Sequence, residues 1–114
     1  GDVAMFVGVT GDSNPYHTDD SFARRTRFER RIVPGLLTAS MLTHIGGHWA
    51  FLATEMNLKF VAPVFIGDTV TCEMEIVEVR REDNWARVAV RCLNEGGGAV
   101  LVGELAGFPS PHGL

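Results

Sequence analysis

Residues 34–47, PGLLTASMLTHIGG, decide how the rest of the chain must fold. Proline is favoured in the first turn of a helix, so Pro34 marks the start of one. At about 100° per residue, bulky apolar side chains lie on one side of this helix and small ones on the other. The bulky set is Leu37, Met41, Leu42 and Ile45, and the small set is Gly35, Ala39, Thr43 and Gly46. A helix that is apolar nearly all round is expected to be buried.

After residue 50 the hydrophobic pattern changes to a period of two, which is typical of β-strands. Four such segments, near residues 51–60, 70–76, 86–92 and 100–106, are separated by sequences rich in turn residues. Short turns join antiparallel neighbours, so we predict a sheet whose four strands lie in chain order. A helix and such a sheet make an α+β fold, in which the sheet wraps around the helix. The Pro/Gly-rich tail from Pro109 is expected to be frayed.

Two short helices and a loop are predicted before the long helix. Residues 2–9 have apolar side chains at helical spacing, and Gly11 suits the C-cap that follows. Asp19 is a typical N-cap residue for a second helix, through about Arg25. Between them, Pro15 stiffens the loop because it fixes its own backbone and restricts the residue before it.

This loop holds Asp12 and His17 five residues apart, close in sequence to the start of the long helix. A carboxylate accepts protons and imidazole changes its charge near neutral pH, so together they can polarise a water molecule. The alternative is that Asp12 caps a turn and His17 is a surface residue. The free backbone N–H of Gly35 can bind an oxygen on which negative charge develops. The alternative for Gly35 is that it only allows close packing.

Composition limits the classes of function. A chain of 114 residues, 46% apolar and 21% charged, is typical of one globular domain, here residues 1–114. Its net charge of −4 gives no sign of the positively charged surface that binds nucleic acid. Apolar runs are far shorter than the roughly 20 residues that cross a bilayer, and no export signal is visible. We therefore predict no membrane partner and a cytoplasmic location. Cys72 and Cys92 lack metal or redox spacing and are expected to be buried free thiols.

The same residues carry a resemblance to a known family. GDSNPYH at 11–17, IVPGLL at 32–37 and GDTV at 67–70 are similar to motifs of the MaoC-like, (R)-specific enoyl-CoA hydratase family. The resemblance covers nearly the whole chain, and the G-D-x-N-P-x-H signature is specific. It implies the hot-dog fold, a homodimer, and hydration of trans-2-enoyl-CoA to (R)-3-hydroxyacyl-CoA. The first strand usual in the family is expected to be missing here.

The resemblance also implies residue roles. Asp12 and His17 match the catalytic pair, and Gly35 matches the backbone donor to the thioester oxygen. Asp12 would accept a proton from the water that attacks C3, while His17 orients that water and supplies a proton at C2. The sequence alone leaves the opposite assignment of base and acid open. The substrate would be a thioester of coenzyme A or acyl carrier protein, with no cofactor and no metal. Asn14, Ala39 and Thr43 are expected to contact it. The strip of small side chains on the long helix, at Gly35, Ala39, Thr43 and Gly46, is interpreted as one wall of a narrow acyl tunnel.

A basic cluster and a histidine pair have competing interpretations. The cluster consists of Arg24, Arg25, Arg27, Arg30 and Arg31. It either contacts coenzyme A phosphates, which arginine recognises well, or forms a solvated face paired with Asp19 and Asp20. His44 and His48 have the i, i+4 spacing of metal ligands, but no third ligand is evident nearby, so no metal site is predicted.

Two other functions stay open beside the hydratase. A hot-dog acyl-CoA thioesterase would share the fold and the carrier but would hydrolyse the thioester, and the N-P-x-H signature argues against it. A non-catalytic acyl-binding subunit of a heteromeric dehydratase would need no acid/base pair, so the intact Asp12 and His17 argue against that function.

Overall fold

The structure, a computed structural model, describes residues 1–110. Its helices are α1 (Asp2–Thr10), α2 (Pro15–Thr18), α3 (Asp20–Arg24), α4 (Gly35–Ser40) and α5 (Leu42–His48). Its strands are β1 (Leu52–Phe60), β2 (Thr71–Arg80), β3 (Trp85–Leu93) and β4 (Ala99–Phe108). The predicted helices at residues 2–9 and after Asp19 and the four predicted strand segments are thus confirmed. Residues 111–114 of the tail, for which we predicted fraying, lie outside the described residues.

One antiparallel sheet contains all four strands in the order β1-β4-β3-β2. The prediction of chain order is correct from β2 to β4 and wrong for β1, which pairs with β4 instead of β2. The connection from β1 to β2 covers residues 61–70 and is too long for a tight hairpin. Within this connection, Phe65 forms a β-bridge with Ile32. The chain reaches the opposite edge of the sheet before β2 begins.

The two faces of the sheet differ in polarity, as the period of two predicted. Buried side chains on the inner face come mainly from the central strands, and they are Ala86, Val88, Val90, Cys92, Leu101 and Leu105. On the outer face, Arg91 Nε lies 2.6 Å from Glu73 Oε2 and Arg87 Nη2 lies 3.1 Å from Glu78 Oε1. The apolar core therefore lies between the inner face and the helices.

The helical layer differs from the single helix expected for residues 34–47. A turn at Met41 separates α4 from α5. The Ser40 hydroxyl donates to the Leu37 carbonyl oxygen at 2.6 Å, and the Thr43 hydroxyl donates to the Ser40 carbonyl oxygen at 2.6 Å. Such hydroxyl bonds compete with the regular helical pattern and favour a break or bend.

Burial of this layer is also less complete than expected. Thr38 and Leu42 are the buried residues of α4 and α5. In contrast, Leu36 is 66% exposed and Met41 is 42% exposed. The helices therefore cover the centre of the sheet and leave apolar side chains at the surface of the single chain.

Both cysteines are free thiols, as predicted, but only Cys92 is buried, whereas Cys72 is half-buried. Cys72 and Cys92 are directly opposite each other on β2 and β3, and their Sγ atoms lie 3.2 Å apart. Burial of Cys92, together with its contact to Cys72, raises the pKa of this thiol to about 12. Each helix within residues 1–110 is too short or too polar to cross a lipid bilayer.

Candidate active site

The segment between α1 and α3 is built around a one-turn helix, where the sequence predicted a loop. Gly11 ends α1 with φ of 74°, a left-handed conformation that glycine adopts without strain. Asn14 is the N-cap of α2, and its Oδ1 accepts a hydrogen bond from the Tyr16 N–H at 3.1 Å. Pro15 occupies the first turn, where its missing N–H costs nothing. His17 therefore lies on a short helix and not on a free loop.

His17 is buried, with 9% of the residue exposed. Its Nδ1 lies 2.8 Å from the carbonyl oxygen of Ile32, which only accepts hydrogen bonds, so Nδ1 carries a hydrogen. The Ile32 N–H donates in turn to the Tyr16 carbonyl oxygen at 3.0 Å. These two bonds fix the ring orientation and direct Nε2 away from Ile32.

Asp12 lies on the Nε2 side of this ring. Its Oδ2 is 3.9 Å from His17 Nε2, which is longer than a direct hydrogen bond. Its Oδ1 accepts from the Asn14 N–H at 3.3 Å, and its side chain is 44% exposed. One carboxylate oxygen thus holds the loop while the other faces the imidazole.

Gly35 begins α4 beside this pair. Within residues 1–110 its N–H has no hydrogen-bond acceptor, while the Pro34 carbonyl accepts from the N–H groups of Leu37 and Thr38. A Cβ at Gly35 would lie 2.9 Å from Cδ1 of Phe60, closer than such atoms normally approach. The packing interpretation of Gly35 is therefore correct, and the free N–H leaves the donor role compatible with it.

Two cavities meet at His17. The larger has a volume of about 760 Å³ and lies between α1, α4 and residues 64–70. The smaller has a volume of about 260 Å³ and is lined by Gly35, Phe60 and Arg27 among others. Residues that line both cavities are His17, Val33, Thr38 and Val64. The imidazole therefore lies between a larger, mainly apolar cavity and a smaller one.

The other predicted site residues lie outside both cavities. Asp12 and Asn14 are exposed on the loop, and Ala39 is half-buried against the core. Thr43 is exposed, with its hydroxyl bonded within the helix. Sequence reasoning missed Thr38, which is 3% exposed at the junction of the cavities, although a polar residue one turn after Gly35 was a usable signal. It also missed the Ile32 carbonyl, for which a side-chain pattern gives no signal.

Residues 1–95 match the family model of the MaoC like domain. The chain belongs to this family. The MaoC-like chain is 36% identical over 107 residues to the (R)-specific enoyl-CoA hydratase of Aeromonas caviae, covering 90% of this chain and 80% of that protein. It is 41% identical over 108 residues to the 3-hydroxybutyryl-CoA dehydratase of Methylorubrum extorquens, covering 90% of this chain and 68% of that protein.

A solved structure agrees with these sequence relatives. The (R)-hydratase from A. caviae involved in PHA biosynthesis superimposes on the MaoC-like chain with a TM-score of 0.86 and 36% identity. The match covers 91% of this chain and 82% of that one. The predicted hot-dog fold is thereby confirmed. The chain is an enzyme of the hydro-lyase class, a hydratase or dehydratase.

Proposed function

We propose that the chain is an (R)-specific enoyl-CoA hydratase, which adds water reversibly to trans-2-enoyl-CoA and forms (R)-3-hydroxyacyl-CoA. The observation that supports this most is the distance of 3.9 Å between Asp12 Oδ2 and His17 Nε2, with His17 lining two neighbouring cavities. Both groups can then contact one water molecule while an enoyl thioester lies in these cavities. The names of the two relatives agree with this chemistry.

In the proposed reaction, water attacks C3 of the enoyl group while Asp12 accepts one of its protons. In this reaction His17 starts with a hydrogen on both ring nitrogens and Asp12 starts as a carboxylate. His17 orients the water and gives the Nε2 proton to C2, while its Nδ1–H stays on the Ile32 carbonyl oxygen. Asp12 then returns its proton to His17, so one water is added and the pair regains its starting state. Because both groups act from one side of the substrate, the addition is syn.

The Gly35 N–H is the proposed donor to the thioester oxygen. Negative charge develops on this oxygen as water attacks C3, and a fixed backbone donor stabilises that charge more than it stabilises the ground state. Gly35 and His17 line the same narrow cavity, which supports a shared substrate. Since proton transfer and this donor account for the whole addition, the proposed reaction uses no metal and no cofactor.

We assign the acyl chain to the larger cavity. Its walls include Val3, Val7, Leu37 and Met41, and an apolar lining of this kind favours a hydrocarbon chain over water. Asn14, Ala39 and Thr43 were also predicted to contact the substrate. These residues lie outside both cavities, so their contacts stay predictions.

A homodimer is also part of the proposal. β1 is an edge strand of the sheet, and its side chains Leu52, Met56 and Phe60 are 69%, 62% and 51% exposed. Unpaired edges with apolar side chains favour association with another copy. Light scattering at micromolar concentration should give twice the mass of the chain, and a fully active monomer would contradict the dimer.

A hydration assay tests the function directly. With crotonyl-CoA, absorbance of the conjugated double bond should fall, and chiral chromatography should find the (R)-3-hydroxy product. Asp12→Asn should lose at least ~100-fold in turnover, the usual size of an acid/base contribution. The matched control is Asp83→Asn, since Asp83 is an exposed carboxylate in the turn before β3.

The same assay distinguishes a hydratase from a thioesterase and from a non-catalytic acyl-binding subunit. Release of free coenzyme A, detected with a thiol reagent while the double bond persists, would make the protein a thioesterase. Binding of enoyl-CoA without any turnover would make it an acyl-binding subunit.

A further inference from the structure

An excess of positive charge lies beside the proposed active site. Five of the chain's ten Lys and Arg side chains fall between positions 24 and 31, in a protein of net charge −4. Arg31 pairs with Asp20, with Nε 2.7 Å from Oδ1. The other four, Arg24, Arg25, Arg27 and Arg30, form no ion pair within residues 1–110. The predicted pairing with Asp19 and Asp20 is therefore correct only for Arg31.

The nearby carboxylates do not neutralise this patch. Asp19 Oδ1 accepts from the Phe22 N–H at 3.1 Å and serves as the N-cap of α3. Glu29 is exposed and likewise forms no ion pair within the described residues. Arg24 Nε donates to the Asp20 carbonyl oxygen at 3.4 Å. All four exposed guanidinium groups lack a carboxylate partner within the described residues, so they are available to an external anion.

Two of these groups are held in place by aromatic rings. Arg27 Cζ lies 4.7 Å from the centre of the Phe28 ring, and Arg30 Cζ lies 3.7 Å from the centre of the Phe65 ring. A guanidinium stacked on a ring keeps its N–H edge free and loses less conformational freedom when it binds a ligand. Both arginines are exposed, so that edge faces solvent.

The loop that carries them is also fixed. Thr26 Oγ1 donates to the Ala23 carbonyl oxygen at 2.7 Å and accepts from the Phe28 N–H at 3.3 Å. The Phe28 ring packs edge-on against Tyr16, with ring centres 6.2 Å apart, and Tyr16 precedes His17 in α2. The arginines are therefore positioned relative to the imidazole.

This loop borders both cavities. Arg27 and Phe28 line the smaller cavity together with His17 and Gly35. Phe65, on which Arg30 stacks, lines the larger cavity. A thioester whose carbonyl oxygen reaches Gly35 would leave the smaller cavity past Arg27.

We propose that Arg27 and Arg30, assisted by Arg24 and Arg25, bind the phosphate groups of coenzyme A, while the smaller cavity holds its pantetheine arm. This proposal rests on the proposed hydratase function, in which the substrate is a coenzyme A thioester. Coenzyme A carries a diphosphate and a 3′-phosphate, and arginine binds such groups through paired, charge-assisted hydrogen bonds. Its phosphates lie beyond the pantetheine arm, where the arginines are exposed.

Binding of free coenzyme A tests the proposal without any turnover. By isothermal titration calorimetry, Arg27→Gln and Arg30→Gln should each weaken binding of coenzyme A about tenfold, the usual size of a hydrogen bond to a charged group. Arg24→Gln/Arg25→Gln, which leaves the stacked arginines intact, should weaken it as well. Arg81→Gln is the matched control, an exposed arginine at the start of the turn between β2 and β3. Unchanged affinity in all three cluster variants would overturn the proposal.

Steady-state kinetics show which part of the substrate the arginines contact. The cluster variants should raise KM for crotonyl-CoA about tenfold at unchanged kcat, and should leave kcat/KM for crotonyl-pantetheine, which lacks the phosphates, as in the wild type. An equal loss with both substrates would overturn the proposal, because the arginines would then act on the reacting end. Loss of activity confined to an acyl carrier protein thioester would also overturn it in favour of protein docking. Arginine-dependent binding of coenzyme A without hydration would support this inference and refute the hydratase function alone.

Discussion

His17 combines a structural bond with a proposed chemical role, and two substitutions separate them. Its Nδ1–H bonds the Ile32 carbonyl oxygen at 2.8 Å, and its Nε2 faces Asp12 at 3.9 Å. An asparagine amide nitrogen occupies nearly the position of Nδ1, so His17→Asn keeps the bond to Ile32 and removes Nε2. His17→Ala removes both nitrogens.

The two variants should differ in stability and agree in activity. Leaving the half-buried Ile32 carbonyl without a donor costs about 1–3 kcal/mol, so His17→Ala should lower the melting temperature by roughly 4–12 °C. His17→Asn should lose less, because its amide restores that bond. Both should reduce turnover by at least ~100-fold, equivalent to about 2.7 kcal/mol of transition-state stabilisation.

The measurements are thermal unfolding and the crotonyl-CoA hydration rate, for the wild type and both variants. If His17→Asn hydrates crotonyl-CoA within about tenfold of the wild-type rate, Nε2 takes no part in proton transfer. If both variants unfold at the wild-type temperature, the bond to Ile32 contributes nothing to stability, and the stated reason for the ring orientation is wrong.

Variants of the two cavities and of the buried thiol test other parts of the structure. Gly35→Ala should lower both melting temperature and hydration, since its Cβ would lie 2.9 Å from Phe60 Cδ1. Adding Phe60→Leu should recover only the melting temperature, because the added methyl group still keeps the thioester oxygen away from the N–H of residue 35. Recovery of both would show that the reaction does not require a glycine at this position. Leu37→Phe narrows the larger cavity and should lower kcat/KM more for octenoyl-CoA than for crotonyl-CoA, whereas equal losses would contradict the acyl assignment. Because burial raises the pKa of Cys92 from 9.0 to about 12, its thiolate fraction at pH 8 falls ~1000-fold, and iodoacetamide should modify it only after unfolding.

Much of the sheet could be predicted from sequence because each strand leaves a local signal. The alternation of apolar and charged residues reports which side chains face the core, and β3 follows it throughout. Strand order leaves no such signal for β1. Its position depends on pairing with β4, from Leu52 opposite Phe108 to Phe60 opposite Leu101, and these strands are far apart in the sequence.

The site was predictable where it depends on side chains and not where it depends on the backbone. Asp12 and His17 belong to a recognisable motif, and the structure brings them together. The carbonyl that orients His17 is a backbone group, so any residue type at position 32 would supply it. From helix propensity alone, Gly35→Ala is expected to hold or raise stability, since Ala is the better helix former. The Phe60 ring, contributed by a distant strand, predicts the opposite result, because the ring would have to move to make room for the Cβ.

The junction at His17 separates two tasks that many enzymes combine in one pocket. Under the proposed function, the residues of α1 and α4 determine on one side how long an acyl chain fits, and on the other side Arg27 and Phe28 border the path of the carrier. The orientation of the imidazole depends on neither wall, because Ile32 and Tyr16 provide its hydrogen bonds. This proposal implies that related chains can change acyl length and carrier preference independently, by substitutions in one wall at a time, while Asp12 and His17 stay the same.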